Sequence, residues 1–132
     1  VQHRTNGGQT PLHIAAMAFM PGIVALLIAK GADPNVLDDR GRTPLMIAAK
    51  AGDDRAVEQL LKRGADPNLV THQMRWTALM WAARYKRIAV LKRLLAAGAD
   101  PKIEDKNGDS AVDLARKHGS AAALALFEPK IA

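Results

Sequence analysis

The sequence predicts an all-α repeat solenoid, in which stacked helix–turn–helix units are each introduced by a β-hairpin or loop finger. Three observations predict it. The frame TPLHIAA at Thr10–Ala16 returns as TPLMIAA at Thr43–Ala49 and TALMWAA at Thr77–Ala83, with a degenerate copy, SAVDLAR, at Ser110–Arg116. The copies stand 33, 34 and 33 residues apart. A Gly-Ala-Asp-Pro tetrad follows at constant distance, Gly31, Gly64 and Gly98 each lying 21 residues after Thr10, Thr43 and Thr77. A fixed period of this length marks units that cannot bury an apolar face alone and do so by stacking on their neighbours. The chain reads as one domain over residues 1–132, with units near 5–37, 38–71, 72–104 and 105–132.

The elements of one unit follow from Asp38–Thr71. Asp38-Asp39-Arg40-Gly41-Arg42 is polar and contains Gly, so it forms the turn of a finger. Thr43 is an N-cap residue, and Pro44 fits the first helical position, where a backbone N–H has no partner to lose. Leu45, Ile47, Ala48 and Ala49 supply a short apolar helix, which Gly52 ends. Asp53-Asp54 place acids at the positive end of a second helix running from Arg55 to Lys62. Val57, Leu60 and Leu61 give that helix one apolar face. Lys62-Arg63 suit its C-terminus, Gly64 is its left-handed cap, and Pro67 prevents continuation. The single extra residue of the 34-residue step falls in the finger Val70–Trp76, leaving the helices intact.

Composition narrows the function classes. Hydrophobic residues make up 48% and charged residues 24%, which describes a globular chain. Aromatics are only 4%, which suits thin, closely packed helices. The absence of Cys removes disulfides, thiolate catalysis and Cys-ligated zinc, and leaves the redox compartment open. A net charge of +6 favours acidic partners. No run reaches the roughly 20 apolar residues of a membrane span, since Pro21-Gly22 divides the uncharged stretch Ile14–Ala29. Val1–Arg4 has no apolar signal core. The compartment is therefore the cytoplasm or, for a chain whose signal has been removed, the bacterial periplasm.

Thr10-Pro11-Leu12-His13, the three Gly-Ala-Asp sets, Gly41 before Thr43-Pro44-Leu45, Gly52, Gly108 and Gly119 together resemble the ankyrin-repeat family over nearly the whole chain. The wording TALMWAA resembles its bacterial members. Departures from the family pattern matter as much. His13 has the histidine through which neighbouring repeats are linked, but Met46, Met80 and Asp113 replace it later, so three of the four links are expected to be missing. Phe19-Met20-Pro21-Gly22 puts apolar bulk at the inter-helix turn of repeat 1. Arg75 and Lys86 stand where glycines belong, so those turns are expected to be altered. Repeat 4 stops after Ala121–Phe127 and reads, with Glu128-Pro129-Lys130, as a C-terminal cap. Repeat 1 has more apolar residues than one inner face can hold. Three things could cover them: a preceding segment, residues Gln2–Gly8 folded across, or a partner. The chain is expected to be a monomer unless this face pairs.

No constellation for chemistry stands out. Ser110 and Ser120 lie outside any nucleophile elbow, and a Ser120–His118–Asp113 set is better read as a helix start and a decayed motif residue. His3, His13, His72 and His118 fall in separate segments with no metal-binding spacing. Asp38-Asp39 and Asp53-Asp54 are adjacent pairs that diverge, and Gly7-Gly8 lacks the phosphate-loop sequence. No catalytic residue, metal or cofactor is expected.

Binding surface is where the resemblance says more. It implies a concave groove made by the fingers and the exposed side of each first helix. By position, the groove candidates are Arg40, Arg42 and Lys50 from repeat 2, Gln73, Met74, Trp76, Arg84 and Tyr85 from repeat 3, and Lys106, Lys117 and His118 from repeat 4. Trp, Tyr and Arg are the residue types enriched in binding hot spots. Trp76 has a second reading, in which it folds over Met74 and fills the longer finger. Trp81 aligns with Ile14, Ile47 and Leu114 and is expected inside the stack. The implied function is a non-enzymatic module binding another protein of acidic or mixed surface, with inhibition or protection of that partner as its effect. The alternative is binding of nucleic acid or another polyanion, disfavoured because Asp38, Asp39, Asp105 and Asp109 interrupt the basic residues.

Overall fold

A computed structural model describes residues 4–127. Its eight helices fall into four antiparallel pairs: α1 (Pro11–Met17) with α2 (Pro21–Ala29), α3 (Pro44–Ala51) with α4 (Asp54–Lys62), α5 (Ala78–Arg84) with α6 (Ile88–Ala96), and α7 (Ala111–Lys117) with α8 (Ala121–Phe127). The first helices touch in the series α1, α3, α5, α7 and the second helices in the series α2, α4, α6, α8. The result is two rows of helices on a shared core.

Each first helix starts as the sequence implies. The hydroxyls of Thr10, Thr43, Thr77 and Ser110 accept from the backbone N–H three residues on. Pro11 and Pro44 occupy the first helical turn without forfeiting a hydrogen bond. The second helix of repeat 2 begins one residue earlier than expected, at Asp54, because the Asp53 carboxylate accepts from Ala56 N–H and acts as its cap. Ala16, Ala48, Ala49, Ala82, Ala83 and Ala115 are fully buried, so the first helices can approach closely. Leu12, Leu45, Leu60, Leu79, Leu91 and Leu94 fill the space between the rows. Fully burying such a side chain stabilises by about 1.5–3 kcal/mol, so these layers dominate the energetics.

No strand is formed among the described residues; the fingers are closed turns. Thr5 N–H donates to Gln9 O, Asp38 to Arg42 O, Thr71 to Trp76 O and Asp105 to Asp109 O, at 2.8–3.0 Å. The third closure spans one residue more than the others, which locates the extra residue inside that finger. The residue that opens each finger also accepts on its side chain. Thr5 Oγ1 takes Gln9 N–H, Asp38 Oδ1 takes Arg40 and Arg42 N–H, Thr71 Oγ1 takes Trp76 N–H, and Asp105 Oδ1 takes Asn107 and Asp109 N–H.

Neighbouring fingers are tied in turn: Asp39 N–H donates to Gly7 O, His72 N–H to Arg40 O and Lys106 N–H to Met74 O, at 3.0–3.1 Å. At the opposite end of the repeats, Asn35 Oδ1 accepts from Asp66 N–H and Asn68 Oδ1 from Asp100 N–H, at 2.7 and 2.8 Å. His13 makes the expected inter-repeat link. Its Nδ1 accepts from Thr10 N–H at 3.1 Å, so Nε2 carries the proton and donates to Arg42 O at 2.9 Å. Met46 and Asp113 keep only the local half of that arrangement, accepting from Thr43 and Ser110 N–H respectively.

Two expectations need correction. The turn at Lys86 is not altered, Arg87 N–H donating to Ala82 O as Asp53 N–H does to Ala48 O, whereas the finger turn at Arg75 is one residue longer and lacks, among the described residues, the bond that Gly8, Gly41 and Gly108 N–H make to the residue opening their fingers. Both residues take the left-handed conformation themselves, φ 59° and 60°, as does Phe19 at 58°, matching the glycines Gly41 and Gly52 at 78° and 84°. Stacking on both sides imposes the turn, and these side chains tolerate it at a cost. Trp81 is also not enclosed. It packs on the core but keeps an exposed edge, whereas Ile47 and Leu114 at the same position are buried, because an indole outgrows the slot that fits an aliphatic chain.

Candidate functional site

The positions expected to line a groove lie at the C-terminal ends of the first helices and on the fingers. Met17, Lys50, Arg84 and Lys117 occupy equivalent positions, one per repeat, and are the last residues or near-last residues of α1, α3, α5 and α7. Cations there complement the negative helix ends. Lys50 O, which the helix leaves free, accepts from Arg87 Nε at 2.9 Å.

Repeat 3 carries the densest cluster. Trp76 and Trp81 meet edge to face with ring centroids 4.7 Å apart, and Trp81 stacks on Tyr85 at 6.2 Å with planes 11° from parallel. Tyr85 lies four residues after Trp81, the spacing that places two side chains on one helix face. Lys50 Nζ reaches across from repeat 2 to lie 5.4 Å from the Trp81 ring and 5.5 Å from the Tyr85 ring. The Arg84 guanidinium sits 5.0 Å from the Tyr85 ring. Each such cation–ring contact is worth about 0.5–1 kcal/mol at an exposed site. Trp81 Nε1–H is buried with no hydrogen-bond partner among the described residues.

Trp76 reaches from the third finger to the fourth and packs on the core. Its Nε1–H donates to Asp105 Oδ2 at 3.0 Å, bracing the longer third finger against the fourth. Burial would raise the Asp105 carboxyl, but the N–H groups of Asp109 and Asn107 and the Trp76 indole outweigh it and hold the group below its ordinary value. Asp38 follows the same pattern: burial pushes its carboxyl up, and the Arg42 N–H, the Arg42 guanidinium and the Arg40 N–H bring it below the ordinary range.

These contacts sort the groove candidates. Lys50, Trp76, Arg84 and Tyr85 come together around Trp81. Arg40, Gln73, Met74 and Lys106 stand exposed on the fingers. Arg42 is turned inward, its Nε 2.8 Å from Asp38 Oδ2, and Lys117 Nζ lies 2.6 Å from Asp109 Oδ2. His118 is held below its ordinary pKa by desolvation and by the cations Arg84, Lys86 and Lys117, so it is neutral at pH 7. Asp38 and Asp105 are almost fully buried, so two of the acids read from the sequence as interrupting the basic surface do not line it.

Sequence reasoning missed Trp81 and the reach of Lys50. The signal was present in the Trp81/Tyr85 spacing and in the equivalence of Lys50 and Arg84, one repeat apart.

The remaining polar residues are engaged structurally. Ser120 Oγ accepts from Ala123 N–H at the start of α8, while Asp113 bonds Ser110 and Arg116. No hydrogen bond joins Ser120, His118 and Asp113 among the described residues. Among the same residues no three His, Asp or Glu side chains converge on a metal-sized site, and no helix is long and apolar enough to cross a membrane.

A family model described as ankyrin repeats (3 copies) matches residues 1–71 and again residues 45–131. No curated protein matches the chain. Ankyrin repeats are in general protein–protein interaction modules and are typically not enzymes. With matches that run over successive helix pairs and together span nearly all of the sequence, the chain belongs to the ankyrin-repeat family.

Proposed function

We propose that this chain is a non-enzymatic binding module that grips another protein with its groove and fingers, on a partner surface that is acidic or mixed. The observation that carries the reading is the cluster of Lys50, Trp81, Arg84 and Tyr85. Two aromatic faces and two cations without carboxylate partners among the described residues stand together at the middle of the groove. Tyr85 is 37% exposed, which leaves an amphipathic anchor available to a partner. Arg and Tyr are hot-spot residues because they contribute apolar area and hydrogen bonding together. Trp76, tied to Asp105, acts as a positioning residue that holds the cluster in shape. Arg40, Gln73, Met74 and Lys106 form the outer contacts, and Lys117 and His118 the far edge; Arg42 supports its finger from within.

The groove is preorganised by the finger-to-finger bonds, so little conformational entropy is lost on docking. Fingers seated over a partner's own working surface would block it, which makes inhibition or protection the effect of binding. The test is affinity capture from nuclease-treated lysate of the source organism, followed by titration of the captured protein. Tyr85→Ala and Arg84→Ala should each weaken binding about 30-fold, the hot-spot scale of about 2 kcal/mol. Lys62→Ala, on the second-helix row, should leave it unchanged. Equal affinity of all three variants would overturn the reading. So would a binding constant that falls linearly and steeply in log salt and survives Tyr85→Ala, which is polyanion behaviour.

A further inference from the structure

The turns that join the two helices of each pair lie along one edge of the stack, because both helix rows run in repeat order. That edge carries cations from three successive repeats. Lys50, Arg84 and Lys117 stand at the ends of α3, α5 and α7, and Lys86 follows in the turn after α5. Arg84, Lys86 and Lys117 all bear on the His118 ring, so they crowd one stretch of the edge. Carboxylates do not balance them. Asp53 is buried as the cap of α4, Asp54 is bonded to Arg93, and Asp109 answers Lys117 alone. Lys50, Arg84 and Lys86 have no ion pair among the described residues.

Folding accounts for part of this charge and leaves Lys86 over. A cation in the last turn of a first helix complements the helix dipole, which covers Lys50, Arg84 and Lys117. Lys86 lies beyond that turn, adds repulsion to its neighbours, and holds φ 60° where Gly52 and Gly119 serve the adjacent repeats. A cation kept in a strained conformation beside other unpaired cations points to a site for anions. The ring faces narrow the kind of anion. Trp81 stacks on Tyr85, meets Trp76 edge-on and has Lys50 over it. No succession of open ring faces is left on which the bases of a nucleic acid could stack. Spacing suits a peptide. Packed helices lie about 8–10 Å apart, which sets the step between cations of successive repeats. A polyproline II chain has about three residues per turn and rises about 3.1 Å per residue, so every third side chain returns to the same side about 9 Å further on.

We propose that this edge binds an extended acidic segment of a partner protein, its carboxylates meeting Lys50, then Arg84 with Lys86, then Lys117. This rests on the reading of the groove as a protein-binding surface, and names the chemistry that surface takes. A segment of about seven residues, with acids at its first, fourth and seventh positions, reaches across the three repeats. Lys86 doubles the charge at the middle contact, so binding offsets what its backbone conformation costs in folding.

Titration of the whole chain into a labelled nonaglutamate peptide, read by fluorescence anisotropy, tests this. Saturable binding is expected at about 50 mM salt and its loss at about 0.5 M, where exposed charges are screened. Lys50→Ala, Arg84→Ala and Lys86→Gly should each weaken binding about 3-fold, the scale of an exposed charge pair, and the triple substitution about 30-fold. Lys86→Arg should keep the affinity, and Lys62→Ala should leave it unchanged. Lys86→Gly should lose affinity while its urea midpoint rises, so unfolding is not the cause. An affinity untouched by the triple substitution overturns the proposal. A nine-residue oligothymidylate that binds as tightly, and is lost in the triple substitution, also overturns it and assigns the edge to nucleic acid. No binding of nonaglutamate, in a chain whose captured protein still depends on Tyr85, overturns the acidic segment and leaves the groove reading standing. Nonaglutamate binding that depends on Lys86, beside a captured protein indifferent to Tyr85→Ala and Arg84→Ala, supports the edge and sinks the groove reading.

Discussion

Replacing Lys86 with glycine should stabilise the protein, although it deletes a side chain and its charge. Lys86 sits at the turn between α5 and α6 with φ 60°, where Gly52 and Gly119 serve the neighbouring repeats at 84° and 68°. A residue with a Cβ in this conformation costs about 1–2 kcal/mol. Glycine removes that cost and returns about 0.5–1 kcal/mol to the unfolded chain as extra freedom. Lys86 is exposed and makes no ion pair among the described residues, so nothing else of consequence is lost. The net expectation is a gain of about 0.5–1 kcal/mol. With a urea m-value of about 2 kcal/mol/M, that moves the unfolding midpoint up by about 0.3–0.5 M at constant slope. The melting temperature should rise by about 2–4 °C. Lys86→Ala is the control, because it removes the charge and keeps the Cβ. If the alanine variant gains as much as the glycine variant, repulsion among cations was the cause and backbone strain was not. A lowered midpoint for Lys86→Gly would refute the strain argument outright. Arg75→Gly in the third finger, φ 59° against 78° at Gly41, should gain by the same mechanism.

Two further outcomes follow from the polar contacts. His13 is held neutral by burial, against the opposing pull of its bond to Arg42 O. Its folded pKa lies below 6.5, so the unfolded chain binds the proton first, and its contribution is complete above that value and lost as pH falls through and below it. The urea midpoint should drop between pH 7 and pH 5, and His13→Met should remove most of that slope while His118→Gln, at a half-exposed site, removes less. The carboxyls of Asp38, Asp105 and Asp113 are held below 3.8 and so do not titrate in that window. Trp76→Phe keeps the ring and deletes the bond to Asp105, which should destabilise by about 1 kcal/mol, less than a fully buried charged hydrogen bond. The Asp105 carboxyl should move up toward its ordinary value, which carboxyl-detected NMR titration would show; an unmoved Asp105 would mean the indole bond does not form in solution.

The repeat frame made the fold legible because caps, glycine turns and core alanines obey local rules. Thr10, Thr43, Thr77 and Ser110 cap their helices by chemistry that reaches three residues, and that much is written in the chain. The extra residue in the third finger was visible for the same reason. What lay beyond local rules was misread. Arg75 and Lys86 violate the glycine preference, and only the stack on either side decides that the turn wins over the side chain. The groove was legible as a list of positions but not as an arrangement. Lys50 lies over Trp81 and Tyr85 from another repeat, and Arg42 and Lys117 turn to nearby carboxylates. Asp38 and Asp105 read as surface acids until their role inside the fingers is seen, since an aspartate that closes a turn and one that faces solvent have the same local sequence.

Both tryptophans of the chain, Trp76 and Trp81, lie in the third repeat, 4.7 Å apart. Indole fluorescence therefore reports on that repeat and its two borders, while far-ultraviolet dichroism averages over all eight helices. In a stack held by nearest-neighbour contacts, the end pairs can fray while the middle stays closed. Repeat 1, whose Ile14, Met17, Phe19, Met20, Ile23 and Leu26 are exposed, is the first candidate. The two optical signals together thus form a built-in test of cooperativity: coincident curves mean the four repeats unfold as one, and a dichroism change that precedes the fluorescence change measures how far the ends come loose on their own.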